Sequence, residues 1–441
     1  MLKILSGGGY FFLSLVLLMT FCYQQTVLAQ QTPNIPEPLT LQYALSRADL
    51  MDSPEMMSFS AQQQIALAEQ ELAYAQEGLY VYINGRLRYV EPSRIVPASE
   101  TNDSKLSLDI SKRLFDFGQT RSFINASKAN LASVNVLYSD FLSQRKVTIL
   151  QAYFNVLLAD IIYSRSMEAM SVVYVRLDKL RSEFELGKIS DIELLKAEND
   201  YRSVRREQIQ AQSDQRLTRH RLAQLITPGH LPDQLEAPDL KQLSALSIKR
   251  ELQNIKQLTA QALEQNPRLL AIEQKQKSAH LKLEGYQAEK YPVIDARLQA
   301  ADYARELGTS DKYRAGIEVS IPLYQAGQEN AKIKRTTGEL IQLESERLLM
   351  QQDIEQTILE LWLKISDLKR QFNDSDFTIT YRDLYLDRSR ALYELEVTSD
   401  LGDAMVKLSD AQLYKTQTVF ELAIAWAKLD ALLGNPMNYY K

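Results

Sequence analysis

Residues 79–89 read Leu-Tyr-Val-Tyr-Ile-Asn-Gly-Arg-Leu-Arg-Tyr. Apolar side chains fall at Leu79, Val81, Ile83, Leu87 and Tyr89, and the positions between them are Tyr80, Tyr82, Asn84, Arg86 and Arg88. A period of two marks a strand whose two faces meet different surroundings. The pattern returns three times. Leu106, Leu108 and Ile110 alternate with Lys105, Ser107, Asp109 and Ser111. Ile294, Ala296 and Leu298 alternate with Asp295, Arg297 and Gln299, and Ala315, Ile317, Val319 and Ile321 with Arg314, Glu318 and Ser320. Strands are therefore expected over about 79–90, 104–115, 292–302 and 313–323, with polar loops at 91–103 and about 303–312 inside each pair. Strands of about ten residues with one apolar and one charged face fit a transmembrane β-barrel. An antiparallel sheet with one wet face shows the same alternation. Four strands cannot close a barrel, and an open edge does not survive in lipid. The barrel reading thus requires several chains, each contributing four strands.

The N-terminus bears on that choice. Lys3 is the only charge in residues 1–29, the run from Tyr10 to Cys22 is almost wholly apolar, and Val27-Leu28-Ala29 offers a cleavage site before Gln30. That is the layout of a secretory signal peptide, and the run is too short to span a bilayer as a helix. Cys22 invites attachment of a lipid, but Phe21 occupies the place before it where a small residue is needed. Cleavage before Gln30 removes the single cysteine, so an exported chain has no disulfide and draws its stability from packing or assembly. An exported protein with regularly spaced charges opposite an apolar strand face favours the barrel.

Composition narrows the classes further. The chain has 441 residues, 45% hydrophobic and 24% charged, with 15 Gly and 13 Pro, which argues against both disorder and an all-β sandwich. A mean hydropathy of −0.28 excludes a polytopic helical membrane protein. The formal charge is −5, and −6 once Lys3 is lost, with basic residues scattered rather than clustered, so nothing points to nucleic acid.

Shifting the sequence by 209 residues brings matches into line without a gap. Leu114 meets Leu323, Gly118-Gln119 meets Gly327-Gln328, and Thr148-Ile149-Leu150 meets Thr357-Ile358-Leu359. Leu177-Asp178 meets Leu386-Asp387, Glu185-Leu186 meets Glu394-Leu395, and Ser190-Asp191 meets Ser399-Asp400. Nearer the start of each half, at a shift near 213, Ser53-Pro54 lies opposite Asn266-Pro267. The chain reads as two copies of one unit: a first repeat over 30–227, a linker over 228–257 and a second repeat over 258–441. Each unit runs helix, two strands, very long helix, helix. The first helices, near 40–77 and 258–290, are expected to break at Pro54 and Pro267. The long helices, about 119–186 and 328–395, each reach roughly 100 Å. Ile124, Leu131, Val134, Tyr138 and Phe141 follow heptad spacing, which points to coiled-coil packing. Returning helices follow at 190–226 and about 400–433.

These features together resemble the TolC-like outer-membrane factors of Gram-negative bacteria. The residues that carry the resemblance are Leu39-Thr40-Leu41 with Ala44-Leu45, and Ala262-Leu263-Glu264-Gln265-Asn266-Pro267. Ile321-Pro322-Leu323-Tyr324 with Gly327 looks like the family's strand-to-helix junction, and Phe184-Glu185-Leu186-Gly187 with Ser190-Asp191 and Ala197-Glu198 looks like its hairpin tip. The resemblance implies a homotrimer with a twelve-stranded barrel in outer-membrane lipid, continued by helices as a periplasmic tunnel. It implies a periplasmic adaptor protein and an inner-membrane transporter as partners, in tripartite efflux or type I secretion.

The resemblance also implies where to look. Asn84, Arg86, Arg88, Lys105, Asp109, Asp295, Arg297, Arg314 and Glu318 would face the barrel lumen. Ser190, Asp191, Tyr393, Asp400 and Asp403 match positions at which such tunnels are held shut or constricted, with Asp410 a further acidic candidate. Asp191 and Asp400 also read simply as helix N-caps after a tip turn. The position near Thr398 where the family carries a partner arginine holds none here, Glu396 stands where glycine is usual, and the second tip is about five residues longer than the first. Leu186, Gly187, Lys188, Leu395 and Glu396 are candidates for adaptor contact, or a merely solvated turn.

No catalytic constellation assembles from the sequence. His220, His230 and His280 are dispersed, no Gly-rich phosphate loop or nucleophile elbow occurs, and the carboxylates sit on charged helix faces. The chain is therefore expected to be no enzyme, with no cofactor and no metal. The competing reading is a periplasmic coiled-coil adaptor or scaffold without a membrane barrel, which leaves the four alternating strands without a purpose.

Overall fold

The computed structural model describes residues 35–49, 53–91, 100–226, 234–305, 310–395 and 400–435. The signal peptide expected over 1–29, Cys22, the centre of the linker and the second tip turn with Glu396 lie outside the described residues. The chain is mainly helical with a few strands. It runs α1 (Leu41–Ser46), a short 3-10 turn, α2 (Pro54–Ala75), β1 (Leu79–Arg86), β2 (Lys105–Phe115), α3 (Gln119–Glu185) and α4 (Asp191–Ile226). It continues with α5 (Leu240–Lys249), α6 (Ile255–Gln265), α7 (Pro267–Ala288), β3 (Val293–Tyr303), β4 (Tyr313–Ser320), α8 (Gln328–Glu394) and α9 (Leu401–Leu432).

Local chemistry sets the helix starts. α2 begins with Pro54 at its first turn and the Ser53 hydroxyl accepting from Met56 N–H, 3.2 Å. α7 begins in the same way at Pro267, with Asn266 Oδ1 accepting from Arg268 and Leu269 N–H at 3.0 and 3.2 Å. Proline lacks the N–H that a first turn leaves unsatisfied anyway, and the side-chain oxygen satisfies others. Both 67-residue helices follow a tight reversal from the sheet. Phe117-Gly118 and Ala326-Gly327 are consecutive residues with left-handed backbone, φ of 54° and 89° in one junction and 52° and 80° in the other. Glycine tolerates that conformation without cost. In the first junction Asp116 supports the turn, its carboxylate accepting from Gly118 N–H (3.2 Å) and Thr120 N–H (2.9 Å).

The sheet is antiparallel throughout, in the order β1-β2-β3-β4. Val81 pairs with Ile110 and Ile83 with Leu108, Ile110 continues to Leu298, and Ile294 and Ala296 pair with Val319 and Ile317. One face is therefore apolar across the middle of all four strands, with Lys112 at its helix end and Asp302 at the other end sharing its parity. A bulge between Arg113 and Phe115 shifts the register at the helix end. β1 stops at Arg86, short of the expected residue 90, but its register persists through an isolated Tyr89–Asn102 bridge. β4 stops at Ser320, because Pro322 has no N–H to continue a ladder. Every residue of β1 and β4 is exposed, and both outer edges of the sheet are open.

The core lies near the middle of the long helices. Ile149, Leu150, Tyr153 and Phe154 of α3 pack with Leu222 and Ile226 of α4 and with Val419, Phe420 and Ala423 of α9. The rings of Phe154 and Phe420 stack with centroids 4.3 Å apart. A second cluster joins Ile354, Ile358, Leu361, Ile365 and Leu368, a heptad stripe on α8, to Leu422, Trp426 and Leu429 of α9. The described part of the linker carries structure of its own, in keeping with the helix potential of its sequence. Leu39 bridges Leu235, and the Tyr153 hydroxyl lies 2.8 and 2.6 Å from the carbonyl oxygens of Leu39 and Glu236. α5 follows, with Asp239 as its cap.

Candidate functional site

Two regions combine exposure with organised polar chemistry: the non-apolar face of the sheet and the far ends of the helical hairpins.

On the sheet, pairing places every charged strand candidate on one face. Arg86 lies opposite Lys105, Asp109 opposite Tyr82 on one side and Gln299 on the other, and Gln299 opposite Arg314. Asp295 faces both Arg113 and Glu318. Arg88 continues the same register, bonding Asp103 across the hairpin. Side-chain contacts agree with the parity. The Asp109 carboxylate accepts from Asn84 Nδ2 (2.7 Å), from Ser107 Oγ (2.9 Å) and from Gln299. Arg297 pairs with Glu318 at 2.7 Å, and Arg113 with Asp295 at 3.5 Å. Arg314 is 3.0 Å from Asp311. Sequence reading left out Arg113 and Lys312 from this face. Arg113 was findable, as its parity is that of Asp109; Lys312 lies just outside β4 and is placed by the bond from Ala301 N–H to its carbonyl, 2.8 Å.

Aromatic residues mark both ends of the sheet. Phe115, Phe117 and Tyr291 form a chain at the helix end, with centroids 4.8 and 5.3 Å apart, and Tyr324 is exposed beside the second junction. Tyr89 and Tyr313 are exposed at the opposite end.

At the first tip, Gly187 (φ 69°) ends α3. Its N–H reaches Phe184 C=O at 2.8 Å and Lys188 N–H reaches Glu183 C=O at 2.9 Å, the two bonds of a Schellman turn. α4 then starts with a capping box. Ser190 Oγ accepts from Glu193 N–H (3.3 Å), while the Glu193 carboxylate accepts from Ser190 N–H (2.8 Å). The Ser190 hydroxyl also lies 3.0 Å from the Glu193 carboxylate and donates to it, and the Ser190 N–H first and this hydroxyl second hold the Glu193 carboxyl below its ordinary pKa. The cap is thus Ser190, not Asp191. Asp191 occupies the first turn, where its charge complements the helix N-terminus.

Asp400 also departs from the cap expectation. It stands at the N-cap position of α9, yet its side chain makes no capping bond. Its carboxylate instead accepts from the Tyr385 hydroxyl and from Ser389 Oγ (3.0 Å), both on α8. These bonds lower the Asp400 pKa, Tyr385 contributing most, and the same contact raises that of Tyr385. Asp403 receives both its bonds from Arg176 Nη2 of α3, each 2.8 Å, and Asp410 pairs with Arg165 of α3 at 2.5 Å. Between these levels Ser409 donates to Glu168 at 2.7 Å. So α9 is tied to α8 through Asp400 and to α3 through Asp403 and Asp410. Sequence inspection could not find Arg165 and Arg176, which lie more than 220 residues from their partners. Tyr393, Leu186 and Leu395 are 64%, 69% and 72% exposed, and beyond the first tip Ile192 and Leu195 are exposed as well. Among the described residues no group of three or more His, Cys, Asp or Glu could hold a metal ion.

Comparison with known proteins gives this geometry its context. No protein-family model matches the sequence. Over 376 residues the chain is 21% identical to the outer membrane protein TolC of Escherichia coli (strain K12), covering 80% of this chain and 73% of TolC. The solved structure of the Campylobacter jejuni CmeC outer membrane channel superposes with a TM-score of 0.74 at 13% identity, over 89% of this chain and 85% of CmeC. CusC superposes with a TM-score of 0.72 at 16% identity, over 90% and 92%. Over most of its length the chain is similar to TolC in sequence and to these channels in fold. The sheet's polar face and the hairpin tips are two of the places where charged side chains are drawn together from distant sequence; Arg250–Asp430 and Arg268–Asp140 are others, nearer the core.

Proposed function

We propose that the protein is the outer-membrane duct of a tripartite efflux or type I secretion system. The chain is two copies of one unit, and three chains close a twelve-stranded barrel in the outer membrane. The long helices continue it through the periplasm. The observation that carries this reading is the sheet: its apolar face covers no core and its two edges are open. Ile83, Ile317, Val319 and Leu106 are 74%, 69%, 54% and 57% exposed in the single chain. A soluble sheet buries such a face. A barrel wall turns it to lipid, and a neighbouring chain pairs the edges. The aromatic residues at both ends of the sheet suit the girdles of such barrels.

The polar face then lines the lumen, and transport is passive, with no bond made or broken by this chain. The exposed apolar residues at the first tip, Leu186, Ile192 and Leu195, suit contact with a periplasmic adaptor, and an inner-membrane transporter supplies the energy. Asp400 and Asp403 constrain the periplasmic end through Tyr385, Ser389 and Arg176. The adaptor or scaffold reading would leave the exposed apolar sheet face in water. The test is the native mass of detergent-extracted protein from an outer-membrane fraction: a mass of three chains is expected, and a water-soluble monomer overturns the reading.

A further inference from the structure

The polar face of the sheet has a charge balance opposite to that of the chain. The protein is net acidic at −5. Yet this face carries seven cations, Arg86, Arg88, Lys105, Arg113, Arg297, Lys312 and Arg314. Against them stand four carboxylates, Asp103, Asp109, Asp295 and Glu318, with Asp311 paired to Arg314 at the rim. Asp109, Asp295 and Glu318 sit in the half nearer the helices or at mid-sheet, each with partners there, while Asp103 and Asp311 at the outer end pair with Arg88 and Arg314. Asp295 and Glu318 pair with Arg113 and Arg297, while Asp109 is held by Asn84, Ser107 and Gln299.

The excess lies at the other end. Arg86 and Lys105 are direct cross-strand partners. Like charges directly opposite one another destabilise an antiparallel pair. Neither forms a close ion pair among the described residues, although the Lys105 charge acts at longer range on Asp109; the Lys105 ammonium lies 5.2 Å from the ring centroid of Tyr303, its partner on β3. The next step inward is Asn84, Ser107 and Ala301, with Lys312 across from Ala301. A repelling pair kept on the face that the neighbouring strands share is a local cost that a bound anion offsets.

We propose that this outer end of the polar face is an anion-binding ring, in which Arg86 and Lys105 hold polyvalent anions such as clustered phosphate or carboxylate groups. The inference rests on the three-chain barrel. Three copies set six cations around one lumen wall, and a narrow passage with low-dielectric walls focuses their field. The ligand is a solute in the lumen rather than a lipid headgroup, because these side chains stand on the face opposite the apolar one.

The test uses the detergent-purified mature protein, with its native mass measured first. Inorganic tripolyphosphate is titrated calorimetrically at low ionic strength and again at raised salt, on the natural protein and on Arg86→Gln/Lys105→Gln. The expected result is binding to the natural trimer that weakens with salt and is at least tenfold weaker in the double variant. A trimer that does not bind tripolyphosphate, or a double variant that binds equally well, overturns the proposal. A monomer in place of the trimer overturns the barrel reading instead, so the two failures are distinct. If the double variant does not assemble, Lys105→Gln alone is compared by reversal potential in planar bilayers under a potassium chloride gradient. A shift away from anion preference is expected, and no shift refutes the ring.

Discussion

Asp400 shows how a single carboxylate joins two helices. Two hydroxyls donate to it from one face of α8, at Tyr385 and Ser389, one helical turn apart. Because these bonds favour the charged form, its pKa lies below the usual carboxylate value of about 3.9. The contribution is then fully present above about pH 4 and is lost as pH falls through the lowered value. Tyr385→Phe is expected to lower the unfolding midpoint at pH 6, and the gap from the natural protein should close as the melts are repeated toward pH 3. A gap independent of pH would mean that Tyr385 acts through packing alone. Gly402 makes a second residue-scale point. A Cβ there would lie 2.6 Å from Cγ1 of Val172, a stiff side chain on α3. Gly402→Ala should cost about 1–3 kcal/mol in thermal or denaturant unfolding, and Val172→Ala in the same chain should recover part of it, as a double-mutant cycle would show.

Among the elements, α9 changes character along its length. Near mid-helix it is clamped by apolar contact, with Phe420 stacked on Phe154 and both rings buried. Toward the tip it is held to α3 by Arg165–Asp410 and Arg176–Asp403, pairs that remain partly solvated. Removing the two contact types should have unequal effects. Phe154→Ala is expected to destabilise by about 3–5 kcal/mol, the cost of a large cavity. Asp403→Asn should change stability by less than about 1 kcal/mol, and that difference should shrink further in high salt. Equal effects would contradict the division of α9 into an apolar clamp and a polar seam. The long helices and their ends were legible in sequence, since heptad spacing, Gly118, Gly327, Pro54 and Pro267 are local signals. The pairing of Arg165 and Arg176 with α9 was not, because it depends on which helices pack side by side.

At the scale of the whole molecule, the two faces of the sheet should respond in opposite ways to charge. Ile317→Arg places a cation on the apolar face, where a mid-bilayer charge costs about 2–4 kcal/mol per chain. On the proposed three-chain barrel, it should reduce the amount of trimer recovered from outer membranes. Tyr82→Arg, on the face shared by Asp109, should leave that amount unchanged. Equal loss in both variants would argue that the sheet packs on both faces.

By itself, the sequence determined the elements and the two-sidedness of the strands, because period-two and heptad patterns are carried by neighbouring residues. It also determined that nine charged or polar strand positions share a parity, from Asn84 to Glu318. Only the tertiary structure decided what each charge meets. Register made Arg86 and Lys105 neighbours, with no close ion pair to either among the described residues. Helix packing gave Asp403 and Asp410 their arginines, and the α8 face turned Asp400 from a cap into a cross-helix tie. Electrostatic partnership falls off with distance in space, and residues 227 apart in sequence, such as Arg176 and Asp403, become neighbours only once the chain has folded.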